Sequence, residues 1–197
     1  MAYRDEGTGG PPLLFLHGTG CDTSDWDGVI SNLGSEGRTL RLDFRGHGDS
    51  DVPHEPFTVK DLATDVGQLM ESLDLPPVVI CGHSLGGMVA MEIARRPSKV
   101  AGLVLLEGWT SLAAASAFRE PRFYGSLGPA AVATIQDKAQ MTRARFEPSI
   151  WHGFWKSVEE LDASVFLRST RIPVTEVYGS IGRWEGTVPG LRVPANP

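Results

Sequence analysis

The stretch Pro77-Val78-Val79-Ile80-Cys81-Gly82-His83-Ser84-Leu85-Gly86-Gly87-Met88-Val89-Ala90 constrains this chain more than any other. An apolar run of strand length reaches a glycine, a serine stands between two glycines, and helix-forming sequence follows at once. Gly82-x-Ser84-x-Gly86 in that setting reads as a nucleophile elbow, a sharp strand-to-helix turn that lifts a serine Oγ above a sheet. Such a turn strains the serine backbone, and side chains at 82 and 86 would collide with neighbouring strand and helix. The helix N-terminus beneath Ser84 presents free N–H groups and positive dipole, which favour negative charge developing beside the serine. Glycine makes up 23 of 197 residues, so the three-residue frame alone is weak; the strand before it and the helix after it make it specific.

The rest of the first half repeats the alternation. Leu13-Leu14-Phe15-Leu16 is apolar on both faces, as suits a central parallel strand, and stops at His17-Gly18-Thr19-Gly20. Trp26 to Leu33 reads as a short helix with Asp25 or Ser24 as its cap. Thr39 to Asp43 is the next strand, and Phe44 to Ser50 the loop after it. Thr58-Val59-Lys60-Asp61 resembles a capping box with Asp in place of Glu. Val59, Leu62, Ala63, Val66, Leu69, Met70 and Leu73 then follow at helical spacing. Val78 to Cys81 is the elbow strand, Gly86 to Arg96 the elbow helix, and Val100 to Leu106 another apolar strand, ending at Glu107-Gly108.

Residues 109–170 change character and hold nine of the sixteen aromatics, among them Trp109, Phe118, Phe123, Tyr124, Phe146, Trp151, Phe154 and Trp155. Alternation stops here, which reads as a helical lid inserted between a first core part, 1–108, and a last one, 171–197. Taken singly, most of these aromatics are better read as ordinary core of extra helices. A strand resumes at Pro173 to Tyr178. At this length the prior is one domain. A net charge of -6 without a basic run argues against nucleic acid. Cys21 and Cys81 stand far apart with no zinc-like spacing, and Cys81 reads as a small core residue. The start lacks the apolar segment of a secretory signal, and no stretch is long enough to span a bilayer, so a cytoplasmic location and no membrane partner are expected.

Short loops between strands and helices imply an α/β, doubly wound, mostly parallel sheet whose ligands bind at the carboxyl ends of its strands. His17-Gly18-Thr19-Gly20, the Asp43-to-Ser50 loop and the Ser84 elbow all fall there. In that order they resemble the α/β-hydrolase fold family, and in particular its esterase, lactonase and perhydrolase-like branch, from about Tyr3 to Tyr178. The resemblance implies Ser84 as nucleophile and the backbone N–H groups of Leu85 and Thr19 as the oxyanion hole. It implies a small-molecule acyl substrate (an ester, thioester or lactone) and no metal or organic cofactor. Serine at 84 argues against dehalogenase and epoxide hydrolase chemistry, which needs a carboxylate there. His17, His47 and His83 are expected to turn towards scaffold contacts.

Two departures from the family pattern matter. The acid expected after the Tyr178 strand is absent from Gly179-Ser180-Ile181-Gly182-Arg183, with no carboxylate until Glu185. The family's general base is a histidine one strand later, yet the histidines here are 17, 47, 54, 83 and 152. Ser84, Glu107 and His152 satisfy the order Ser, acid, His, though His152 would have to fold down from the lid. The expectation is therefore a family member incomplete at both ends, with only the Tyr3 region left of an opening strand pair and the last strand and helix lacking, weak or inactive on its own. The alternative is a remnant or fragment that binds an acyl ligand without turnover. With the last strand missing, the Pro173-to-Tyr178 strand becomes an edge that invites homo-oligomers.

Overall fold

The computed structural model describes residues 1–34, 37–96, 99–108 and 128–177. Its strands are β1 (Tyr3–Glu6), β2 (Leu13–Leu16), β3 (Thr39–Leu42), β4 (Val78–His83), β5 (Val100–Leu106) and β6 (Val174–Val177). They form one sheet in the order β1-β3-β2-β4-β5-β6. β1 runs antiparallel to β3, and every other pairing is parallel. Tyr3 to Glu6 is thus a full strand, and the wholly apolar Leu13–Leu16 lies inside the sheet, between β3 and β4.

The two-residue period of each strand sends alternate side chains to opposite faces. Leu14, Leu16, Leu40, Leu42, Ile80, Leu103 and Leu105 enter the main core. They meet Val66 and Met70 of α2 (Val59–Ser72) and Met88 and Val89 of α3 (Leu85–Ala94). On the other face Phe15 and Cys81 form a smaller cluster with Trp26, and Ile30 of α1 (Asp27–Leu33) packs against it. Cys81 is the small core residue expected. Full burial of each Leu or Ile in these clusters contributes about 1.5–3 kcal/mol.

One local expectation is corrected. Neither Ser24 nor Asp25 caps α1, whose N-cap Trp26 makes no side-chain bond. A 3₁₀ turn, Thr23–Trp26, precedes it, and the Asp22 carboxylate caps that turn. Asp25 Oδ2 accepts from the Asp22 N–H at 2.9 Å, closing a capping box one turn earlier than the sequence pattern suggests. At α2 the expected box is present: Thr58 Oγ1 accepts from the Asp61 N–H at 3.3 Å, and Asp61 Oδ2 from the Thr58 N–H at 2.7 Å.

Of the segment read as a lid, Trp109, Phe118, Phe123 and Tyr124 lie outside the described residues. From 128 onward come α4 (Pro129–Arg143), α5 (Pro148–Glu160) and α6 (Ser164–Ser169). Ile150, Phe154 and Val158, one stripe of α5, join the main core together with Phe146, Leu161, Phe166 and Leu167. Phe154 and Phe146 stack on Phe57, with ring centroids 4.8 and 5.9 Å apart. The Phe146 ring fills the space a side chain at Gly46 would need. For Phe146 and Phe154 the plain reading as core therefore holds. α4 is different, with Thr142 its one buried residue. Among the described residues, no helix is long and apolar enough to cross a membrane.

Candidate active site

Ser84 occupies the turn between β4 and α3 with φ 50° and ψ −113°. A non-glycine residue at that positive φ is strained by about 1–3 kcal/mol and persists only where its surroundings impose it. The surroundings are visible. The Ser84 N–H donates to Leu106 O at 3.0 Å, and Ser84 O accepts from the N–H groups of Gly87 and Met88 at 2.9 and 3.2 Å. Both flanking glycines are required. A Cβ at Gly82 would lie 2.5 Å from Gly86 O, and one at Gly86 would lie 2.1 Å from Leu16 O, in β2. Helix and strand close on the turn from two sides, as the motif predicts.

Leu85 is the first residue of α3, so its N–H lies outside the intrahelical ladder. Residues 17–20 come to the same place. A Cβ at Gly18 would stand 3.3 Å from Ser84 Cβ and 2.8 Å from His83 Nδ1. The missing side chain at Gly18 is what lets that loop lie against the elbow. Further out, α4 rests on the same loop: a Cβ at Gly20 would meet the Ala139 main chain at 3.2 Å. Lys138 Nζ and Asp25 Oδ1 pair at 2.5 Å across that contact. The half-buried Cys21 thiol sits in the corner, where burial pushes its pKa up to about 11 and keeps it protonated.

The histidines divide by location. His17 is 1% exposed and bonded at both nitrogens: Phe44 N–H donates to Nε2 at 3.0 Å, and Nδ1 lies 2.8 Å from Gly18 O. His47 is buried as well, with Nδ1 3.2 Å from Arg45 O. Burial pulls both down to about 4, so both rings are neutral at neutral pH. His83 is lowered too, by burial first and against the attraction of the Glu107 carboxylate. Glu107 itself, at φ 47°, directly follows β5, with its N–H donated to Val177 O at 2.9 Å. His54 and His152 are exposed. His152 is on α5, on the side opposite the stripe that enters the core. Glu185 lies outside the described residues.

One organiser went unread in the sequence, the buried Asp43 at the end of β3. Its Oδ1 accepts from the Thr23 N–H at 2.7 Å and its Oδ2 from the Asp49 N–H at 2.9 Å. One carboxylate thus ties the loop beside Ser84 to the loop after β3. The signal available was its place at a strand's carboxyl end, ahead of Gly46 and Gly48, both at positive φ.

Residues 11–149 match the family model described as the alpha/beta hydrolase fold. The chain is 39% identical over 106 residues to an uncharacterized protein of Mycobacterium tuberculosis (strain H37Rv), covering 53% of this chain and 31% of that one. It is 42% identical over 108 residues to a non-heme chloroperoxidase of Streptomyces lividans, covering 53% and 39%. It therefore spans well under half the length of these two relatives. Among solved structures, the enol-lactonase of Burkholderia xenovorans LB400 superposes with a TM-score of 0.68 at 22% identity, over 91% of this chain and 77% of that one. That likeness is one of fold.

Proposed function

The chain belongs to the alpha/beta hydrolase fold family, and from that premise we propose that it is a serine hydrolase opening a carboxylic ester, thioester or lactone through an acyl-Ser84 intermediate. The observation that carries this reading is the Ser84 backbone, held at φ 50° between two glycines that admit no side chain. In the mechanism, Ser84 Oγ adds to the substrate carbonyl carbon as its proton passes to a base. The carbonyl oxygen becomes an oxyanion facing the N–H groups of Leu85 and Thr19, usually a large stabilising effect in acyl transfer. Collapse expels the alcohol, thiol or ring oxygen, which takes up the proton, and water then releases the acyl group from Ser84 by the same steps. The names borne by its likenesses, a chloroperoxidase and a lactonase, span different chemistries, so the proposal stops at acyl compounds as a class.

A serine hydroxyl needs a neighbouring base to become a good nucleophile. His17 and His47 are buried and bonded within the scaffold, His83 packs on Gly18, and His54 and His152 are exposed. We therefore propose that these 197 residues alone turn substrate over slowly. What remains without a complete triad is a residual of roughly 10³–10⁴ over water. The same observation favours a second reading, a protein that binds an acyl compound without turnover. The test is an activated p-nitrophenyl ester and a fluorophosphonate probe, applied to the wild type, Ser84→Ala and His152→Ala. Slow turnover and labelling lost only in Ser84→Ala are expected. Labelling that survives Ser84→Ala would overturn the serine mechanism. Rapid turnover abolished by both substitutions would instead make His152 the base. Binding of the ester with no labelling would favour the second reading.

A further inference from the structure

We propose that His17 is the positioning residue for the Thr19 N–H, because its imidazole holds the peptide plane to which that N–H belongs. The proposal rests on the reading of Thr19 as an oxyanion donor and explains how a glycine-flanked loop keeps such a donor aimed.

A backbone N–H, that of Phe44, points at Nε2, so Nε2 carries the lone pair and the neutral ring's proton sits on Nδ1. Nδ1–H then donates to Gly18 O at 2.8 Å. The same carbonyl accepts a second bond, from the Cys21 N–H at 3.1 Å. Gly18 C=O and Thr19 N–H belong to one planar trans peptide, so they point in opposite directions. Two bonds on the oxygen leave the N–H one direction, away from the imidazole. A hydrogen bond to the carbonyl also polarises the peptide and strengthens its N–H as a donor.

The imidazole can hold that plane because it is itself held. Its ring centroid lies 4.7 Å from that of Phe44 and 5.1 Å from that of His47, and the side chain is 1% exposed. Burial keeps the ring neutral, which preserves the acceptor at Nε2. At its far end the loop is tied again, by the Thr23 N–H to Asp43 Oδ1 at 2.7 Å. Both anchors, Phe44 N–H and Asp43, come from the end of β3. The sheet, through His17, sets where Thr19 points relative to Ser84.

The test follows the Thr19 amide directly, by ¹⁵N NMR of the full chain, beside the fluorophosphonate labelling rate at Ser84 and the ester kcat and KM. In His17→Ala the Thr19 resonance should shift and lose exchange protection while that of Leu85 stays put. Labelling rate and kcat should fall about 10- to 100-fold, less than outright loss of an oxyanion donor, with KM little changed. His17→Asn, whose Nδ2 can still donate to Gly18 O, should recover most of both. If His17→Ala does not fold, His17→Gln replaces it, since its amide sits nearer the Nε2 position and leaves Gly18 O unserved. A folded variant with the Thr19 amide unmoved overturns the proposal, as does an equal loss in the Ala and Asn variants. A displaced Thr19 amide with undiminished labelling would uphold the positioning and overturn Thr19 as an oxyanion donor. The Ser84→Ala control separately reports whether the nucleophile reading stands.

Discussion

A methyl group added at Gly86 and one added at Gly153 should have opposite effects, although both glycines lie in helices. At Gly86 the new Cβ would stand 2.1 Å from Leu16 O and 2.6 Å from Leu16 C. Those are main-chain atoms of β2, which is paired on both sides and cannot turn out of the way. Either α3 lifts or the sheet opens, so Gly86→Ala should destabilise by about 3 kcal/mol or more, a fall in Tm of roughly 6 °C or more at this chain length. At Gly153 nothing lies within 4 Å of the added Cβ, and the residue sits in the middle of α5. There the loss of backbone freedom in the unfolded chain dominates, and Gly153→Ala should stabilise by about 0.5–1 kcal/mol. Thermal melts of the two variants decide it. A Gly86→Ala protein as stable as the wild type would mean that the elbow is not closed as described.

At the scale of elements, α2 shows what a sequence displays and what it hides. Its capping box was legible because Thr58 and Asp61 are three residues apart and their pairing depends only on local backbone. Thr58→Ala should therefore cost about 1 kcal/mol, read as a lower urea midpoint at unchanged slope. The next orphan donor of the same helix, the Val59 N–H, is met at 3.1 Å by Ser157 Oγ of α5, 98 residues away. No local pattern announces that bond. The same division runs through the candidate site. Ser84 and its glycines were readable because strand, turn and helix are contiguous, and the strands because their apolar runs are short and bounded. The roles of Asp43 and His17 depend on β2 and β3 lying side by side, a tertiary fact. The sequence does not place the cap ahead of α1 because Asp22, Ser24 and Asp25 all suit one, and backbone geometry, through a 3₁₀ turn that local pattern does not announce, gives it to Asp22. The histidines at 17 and 47 were rightly assigned to scaffold contacts, but not the tautomer that gives His17 its proposed task.

At the scale of the whole molecule, the sheet edge and the buried histidines each lead to a prediction. Among the described residues β6 is the last strand of the sheet, bonded to β5 on one side. We propose that its outer edge pairs with a second copy of the chain, so light scattering should report a mass above that of the monomer. A monomer at high concentration would overturn this. The acid response follows from His17 and His47. Both have pKa values pulled to about 4 by burial, against about 6.5 in an unfolded chain. Charges around them modify that without reversing it. Asp22 and Asp25 favour the His17 cation, and His83 opposes it; Asp43 favours that of His47, and His17 and Arg145 oppose it. Between these limits the unfolded chain binds more protons than the folded one, so stability rises with pH there. It is complete above about pH 6.5, is lost as pH falls towards 4, and gains no further slope from these two groups below that. Each histidine accounts for a loss of about 3 kcal/mol at most, with a limiting slope near 1.4 kcal/mol per pH unit. The rings are 5.1 Å apart, so the second proton is resisted by the first and the two losses do not simply add. Urea unfolding at pH 7, 5.5 and 4.5 measures the trend, and His47→Gln should flatten it by up to the share of one proton. Stability unchanged from pH 7 to 4.5 would show that neither imidazole is held neutral by the fold.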